Sequence, residues 1–216
     1  HARLHDCHWP APDVVDIHCI FPDLDADPDD PANYTFTKTD HYIGALADPG
    51  VDIIYRLGES IEHNYYLYTH PPDDFEKWAR VCVNIIRHYN DGWADGFEHG
   101  IRYWEIWNEP EIGRPMWSGT LQEYYELYRT AATAIKDYDP SLKVGGPAAT
   151  SPRSRIVRPF LAYCRDHDVP LDFLSWHCYS GRAGEPKRRA EIARRRLDEY
   201  GFEHAESHCN EWHLMD

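Results

Sequence analysis

The chain is predicted to adopt an α/β fold built on a parallel sheet, and three observations carry the prediction. From Asp52 onward, short apolar segments alternate with longer amphipathic ones, the order that strand–helix units produce. The longer segments repeat their apolar residues at i, i+3, i+4 spacing, most clearly at Trp78, Val81, Cys82, Ile85, Ile86 and Tyr89. No internal repeat or low-complexity linker divides the sequence, so residues 1–216 are read as a single domain.

In chain order, a first strand is expected at or before Ala2–His5. Pro22–Pro31 follows, acidic and proline-rich, with Asp23, Asp25, Asp27, Asp29 and Asp30. Clustered carboxylates suit a calcium ion, but the glycine and final glutamate of an EF-hand loop are missing, so a long solvated loop is expected. A helix is expected at Thr39–Ala47, a strand at Asp52–Arg56 and a helix at Asp73–Asn90. Tyr103–Trp107, rich in aromatic residues, reads as a short buried strand. The next helix is expected at Leu121–Tyr138, with Thr120 and Glu123 placed to form a capping box. Lys143–Gly146 is a strand whose two glycines permit a tight turn. Arg155–Asp166 and Pro186–Tyr200 are expected helices, Phe173–His177 and Ser207–Glu211 expected strands.

Composition narrows the function. A formal net charge of −15 argues against nucleic acid or an anionic membrane as partner, because both demand basic patches. No apolar run approaches the roughly 20 residues that span a bilayer. Eight Trp and 15 Tyr suit a surface that packs rings against sugar C–H faces, and equally an aromatic core. The six cysteines, Cys7, Cys19, Cys82, Cys164, Cys178 and Cys209, form no C-x-x-C pair. A scattered reduced set is expected, which leans toward a cytoplasmic setting.

The strand Tyr103–Trp107 ends in Asn108, Glu109 and Pro110. Proline donates no ladder hydrogen bond, so the strand stops and Glu109 is left at its C-terminal rim. In a β/α barrel that rim carries the catalytic side chains. A second glutamate, Glu211, ends the last expected strand, leaving room for intervening strand–helix units. Two glutamates on the rims of separated parallel strands can form the opposed pair of a retaining glycosidase, which lies about 5–5.5 Å apart.

Trp104–Pro110 together with Glu211 resembles the (β/α)8 glycoside hydrolases, most closely glycoside hydrolase family 39. Arg3-Leu4-His5 is similar to that family's Arg-x-His at the end of its second strand. His177-Cys178-Tyr179 is similar to its His-x-Tyr after the sixth, and Met116–Tyr125 to the loop and helix start behind the acid/base strand. The resemblance implies a (β/α)8 TIM barrel in which Glu109 is the acid/base, Glu211 the nucleophile, and His177 and Tyr179 flank the nucleophile. It implies retaining cleavage of an O-glycosidic bond, with β-xylosidase or α-L-iduronidase activity, no cofactor, and a glycoside or oligosaccharide as substrate. A neutral pentoside is expected, since only Arg56 and Arg3 offer a basic group for a uronide. The family's first strand and its eighth strand–helix unit have no counterpart, so the chain is expected to be a fragment, incomplete at both ends. Its open sheet edges invite cover by another copy.

Other candidates carry two readings each. Asn108 offers an amide to a sugar hydroxyl. Arg56, Glu59, Glu62 and His63 follow a strand and either line the sugar cleft, with Arg56 and Glu59 leaning that way, or form an ion-paired rim network. His5, His8, His18, His177 and His213 lack the H-E-x-x-H spacing of a zinc protease, and no metal is expected. His177 and Tyr179, two apart on one strand face, are either site residues or a core pair. Trp212 beside Glu211 is placed to wall the glycone subsite. Glu105 is expected to share the face of Glu109 and pair with an arginine from a neighbouring strand. Glu111 is expected to face solvent. The competing class is a non-catalytic carbohydrate-binding barrel, which would have no use for an opposed carboxylate pair.

Overall fold

A computed structural model describes residues 1–5, 13–61 and 68–215 of the chain. Six parallel strands pair in sequence order: β1 (Ala2–Arg3), β2 (Ile53–Leu57), β3 (Tyr103–Ile106), β4 (Lys143–Ala149), β5 (Phe173–Ser180) and β6 (Glu206–Leu214). Parallel neighbours need a crossover, and helices supply it. A short α1 (Ile17–Ile20) and α2 (Thr37–Ala47) join β1 to β2, and α3 (Phe75–Asp91) joins β2 to β3. Then α4 (Leu121–Tyr138), α5 (Val157–Asp166) and α6 (Glu185–Glu199) alternate with the remaining strands. The sheet curls until Arg3 on the first strand reaches Glu211 on the last, with Arg3 Nη1 2.9 Å from Glu211 Oε2. This is the (β/α)8 barrel arrangement with six of its strands.

The helices form where the periodicity places them, because each has an apolar stripe to bury. In α3 the residues Trp78, Val81, Cys82, Ile85, Ile86 and Tyr89 are all buried. Asp74 caps its N-terminus by accepting from the Lys77 amide, and Gly92, at φ 71°, closes its C-terminus. The Thr120–Glu123 capping box opens α4. All five residues of β2 are buried, as expected for a parallel strand covered on both faces. Gly145 on β4 has a packing reason: a Cβ there would lie 2.3 Å from the Phe173 carbonyl on β5.

The last two strands run longer than the sequence pattern predicts. β5 and β6 stay paired from Phe173↔Glu206 to Ser180↔Leu214. In the far part of this ladder Tyr179, Trp212 and Leu214 are exposed, so no buried apolar face marks it. The register shifts between Trp176↔Cys209 and His177↔Glu211, leaving Asn210 as the extra residue of a bulge.

Candidate active site

The rim is built first by backbone strain. Trp107 (φ 71°) and Glu109 (φ 43°), which flank Asn108 just past β3, both adopt the left-handed region that non-glycine residues rarely enter. They are held there from several sides. The Trp107 amide donates to the Leu57 carbonyl at 2.8 Å, and the Glu109 amide to Ala148 at 3.2 Å. The Trp107 indole donates to the Met116 carbonyl and its ring packs edge-on against Trp117. Gly58 makes room for it, since a Cβ there would lie 2.7 Å from the indole ring. Pro110 then opens a single 3-10 turn, Pro110–Ile112.

Glu109 and Glu211 face each other across this rim with His177 between them. His177 Nδ1 lies 2.7 Å from Glu109 Oε1, and its Nε2 lies 3.6 Å from Glu211 Oε2. One carboxylate oxygen of each glutamate falls within 4.8 Å of the other. The Tyr179 hydroxyl donates to Glu211 Oε1 at 2.7 Å, and His5 Nε2 lies 3.3 Å from Oε2. The β6 bulge explains how Asn210 and Glu211, successive in the chain, both turn inward: Asn210 Nδ2 donates to Glu105 Oε1 at 2.6 Å, while Glu211 meets Arg3.

Arg3 is the hub beneath the pair. Its Nε, Nη1 and Nη2 donate respectively to Glu105 Oε2 (2.6 Å), Glu211 Oε2 (2.9 Å) and Asn108 Oδ1 (2.6 Å). Glu105 therefore pairs with an arginine as expected, although the arginine comes from β1, across the intervening β2. The Asn108 oxygen is committed to Arg3, and its buried Nδ2 is a donor with no partner among the described residues.

These contacts set the charge state. Burial alone would raise the Glu211 pKa; the hydrogen bond from His5, the His177 ring and the Tyr179 hydroxyl outweigh it and hold the carboxyl far below its ordinary range. Burial likewise acts upward on Glu105, and the Arg3 guanidinium with hydrogen bonds from Ser175 and Asn210 brings it below the ordinary value.

Other expected site residues fall elsewhere. Arg56 does not line the cleft: it is fully buried, paired with Asp16, and donates to Ser60 Oγ at 2.9 Å. A guanidinium sealed behind the β2 rim and neutralised by a carboxylate has no face to offer a substrate, so the ion-paired network is the correct reading for it. Glu59 is buried but reaches a pocket, accepting from His18 Nδ1 at 2.5 Å and from the His18 amide at 3.1 Å. Burial pushes Glu59 up to about 7 against the opposing His18 hydrogen bond. For His18 burial acts downward, and hydrogen bonds to Cys19 and Glu59 override it and raise the ring to about 11. Above neutrality the pair is a cationic ring against an ionised carboxylate.

Trp212 lies exposed on edge strand β6 and borders a cavity of about 350 Å³ with Arg3 and Asn210. Glu111 faces inward rather than toward solvent, accepting from Thr150 N, Thr150 Oγ1 and Ser154 Oγ, which ties the rim after β3 to the rim after β4. Cys82, Cys164, Cys178 and Cys209 form no disulfide among the described residues, and Cys19 Sγ lies 3.3 Å from His18 Nε2. Cys7, His8, Glu62 and His63 lie outside the described residues.

Two clusters among the described residues bring three ligand-type atoms together, Asp16–His18–Glu59 and Glu109–His177–Glu211. In the first, the Asp16 oxygens are already taken by Arg56 and Ser60. In the second, Arg3 supplies a positive charge beside Glu211.

A β/α barrel with two carboxylates opposed across the C-terminal ends of its strands has the architecture of a glycoside hydrolase. The chain belongs to glycosyl hydrolases family 39, whose model matches residues 12–206. It is 36% identical over 158 residues to a beta-xylosidase of Caldicellulosiruptor saccharolyticus, covering 68% of this chain and 31% of that protein. A beta-xylosidase of Geobacillus stearothermophilus is 37% identical over 119 residues, 54% of this chain and 23% of that one. A solved glucosidase from Croceicoccus marinus superposes on the whole chain with a TM-score of 0.85 at 35% identity, and the chain covers 44% of it. The chain thus spans less than half the length of each of these relatives.

Proposed function

We propose that this barrel carries the reactive centre of a retaining glycoside hydrolase, with Glu211 as nucleophile and Glu109 as acid/base, acting on a β-xyloside-like neutral glycoside. The observation that carries the reading is the closeness of the two carboxylates, within 4.8 Å oxygen to oxygen. That spacing matches the roughly 5–5.5 Å of retaining enzymes and leaves no room for the water an inverting enzyme places between substrate and base.

The ionised Glu211 attacks the anomeric carbon while Glu109 gives its proton to the leaving oxygen, and a glycosyl ester forms. Glu109 then takes a proton from water, which attacks the same carbon and releases Glu211. Tyr179 and His5 aim the nucleophile, and the unpartnered Nδ2 of Asn108 is free to donate to a substrate hydroxyl beside the reacting carbon. The electrostatics favour a neutral sugar. Arg3 already spends three donors on protein acceptors and Arg56 is buried on Asp16, so neither is available to a uronate carboxylate.

A panel of aryl xylosides, glucosides and iduronides, assayed beside Glu211→Ala, tests the reading on the full-length protein. Turnover of a xyloside that vanishes in the variant is the expected result. Sugar binding without turnover, unaffected by the variant, would establish a carbohydrate-binding barrel instead.

A further inference from the structure

A pocket of about 310 Å³ opens on the same rim, on the β1–β2–β3 side, and the proposed reaction leaves it unused. His18 enters it from α1, Glu59 from two residues past β2, and Trp107 from the residue before Asn108. The pocket therefore adjoins the strand end that carries Glu109, while Glu211 stands on β6. We propose that this pocket binds the leaving-group sugar of the substrate, a neutral pyranose unit whose hydroxyls are received by Glu59. The proposal rests on the glycosidase reading above for its place in the reaction.

Three features define the ligand's chemistry. First, Glu59 is an acceptor with capacity to spare. Among the described residues its two oxygens take one hydrogen bond each from His18, and an ionised carboxylate offers about four lone-pair sites, enough for two vicinal hydroxyls as well. Second, the walls are rings. Tyr68 stacks on His18 with centroids 3.9 Å apart and planes 3° from parallel, and Phe21, Pro71 and Trp107 supply further apolar surface. Such walls suit the C–H faces of a sugar while its rim hydroxyls find the carboxylate. Third, no lysine or arginine lines the pocket among the described residues, and Glu59 and Asp73 do. His18 balances Glu59, Asp73 adds a second carboxylate, and no lysine or arginine is left to receive a sulfated or uronic unit.

The geometry also selects the leaving group over the glycone. The acid delivers its proton to the leaving oxygen, so the departing unit lies on the acid's side of the reacting bond. Glu109 follows β3, two residues after Trp107 of the pocket wall, whereas Glu211 stands on β6.

Glu59→Gln keeps the shape and removes the charge, and it is compared with the unmodified protein on two substrates sharing one glycone. One is a disaccharide, the other a glycosyl fluoride whose leaving group is too small to reach the pocket. The disaccharide's kcat/KM is expected to fall at least about tenfold further than the fluoride's, as the loss of a hydrogen bond to a charged group predicts. Equal losses on both would place Glu59 with the glycone or the fold, and no loss on either would empty the pocket of a role; each overturns the proposal. If the unmodified protein hydrolyses neither substrate, the glycosidase reading fails separately. Xylose and glucuronate titrations, followed by tryptophan fluorescence, then decide the pocket alone. Binding of xylose but not glucuronate, abolished by Glu59→Gln, sustains a neutral-sugar site, and its absence ends it.

Discussion

Arg3 and Glu211 are 208 residues apart in the chain and 2.9 Å apart across the barrel. The contact fastens the first strand to the last and puts a guanidinium beneath the proposed nucleophile. Replacing Arg3 with Gln leaves Glu105 and Glu211 facing each other with no shared cation. Breaking a buried ion pair by removing one partner costs about 3–5 kcal/mol, and urea unfolding of the variant is expected to show a loss of that order.

The pH profile should report the groups around Glu211. Its pKa is depressed in the fold, so its share of stability is present above the unfolded-state pKa and is lost as pH falls through the folded value. Tyr179→Phe removes one of the hydrogen bonds that depress it. The acid limb of kcat/KM is therefore expected to move to higher pH in the variant, and an unmoved limb would exclude Glu211 as the group that titrates there.

Glu109→Ala should separate substrates by leaving group. Loss of general acid catalysis costs about 10²–10⁴-fold in rate where the leaving oxygen needs a proton. Alkyl glycosides and disaccharides are expected to slow by that factor in kcat/KM, and dinitrophenyl glycosides far less. A uniform loss would mean that Glu109 serves binding or folding rather than proton transfer.

Two glycines should respond in opposite directions. At Gly145 a methyl meets the Phe173 backbone at 2.3 Å, so Gly145→Ala is expected to destabilise by about 1–3 kcal/mol. At Gly44, within α2, an added Cβ meets nothing within 4 Å, so Gly44→Ala is expected to stabilise by about 0.5–1 kcal/mol. Thermal unfolding of the two variants checks both signs.

Much of this was legible because local chemistry announces itself. The Thr120–Glu123 box and the apolar stripe of Leu121–Tyr138 mark α4 at its observed bounds, and Asn108-Glu109-Pro110 marks the end of the strand before it. Less legible were the features decided by distant partners. Arg56 looks like a rim cation until Asp16, 40 residues earlier, is seen to bury it. Glu111 looks exposed until Thr150 and Ser154 close over it. The bulge at Asn210 depends on the register with β5, and no residue type signals it. The His18–Glu59 pair joins the end of one unit to the end of the next, so neither residue's neighbours in sequence point to the other.

The central claim is that Glu211 forms a bond to the sugar. A 2-deoxy-2-fluoro xyloside with a dinitrophenyl leaving group slows both steps and lets an ester accumulate, which intact mass and peptide mapping can locate. One fluoroxylosyl adduct per chain, on the peptide carrying Glu211, is the predicted result. Turnover of xylosides with inversion at the anomeric carbon, or an adduct on any other residue, would contradict the account.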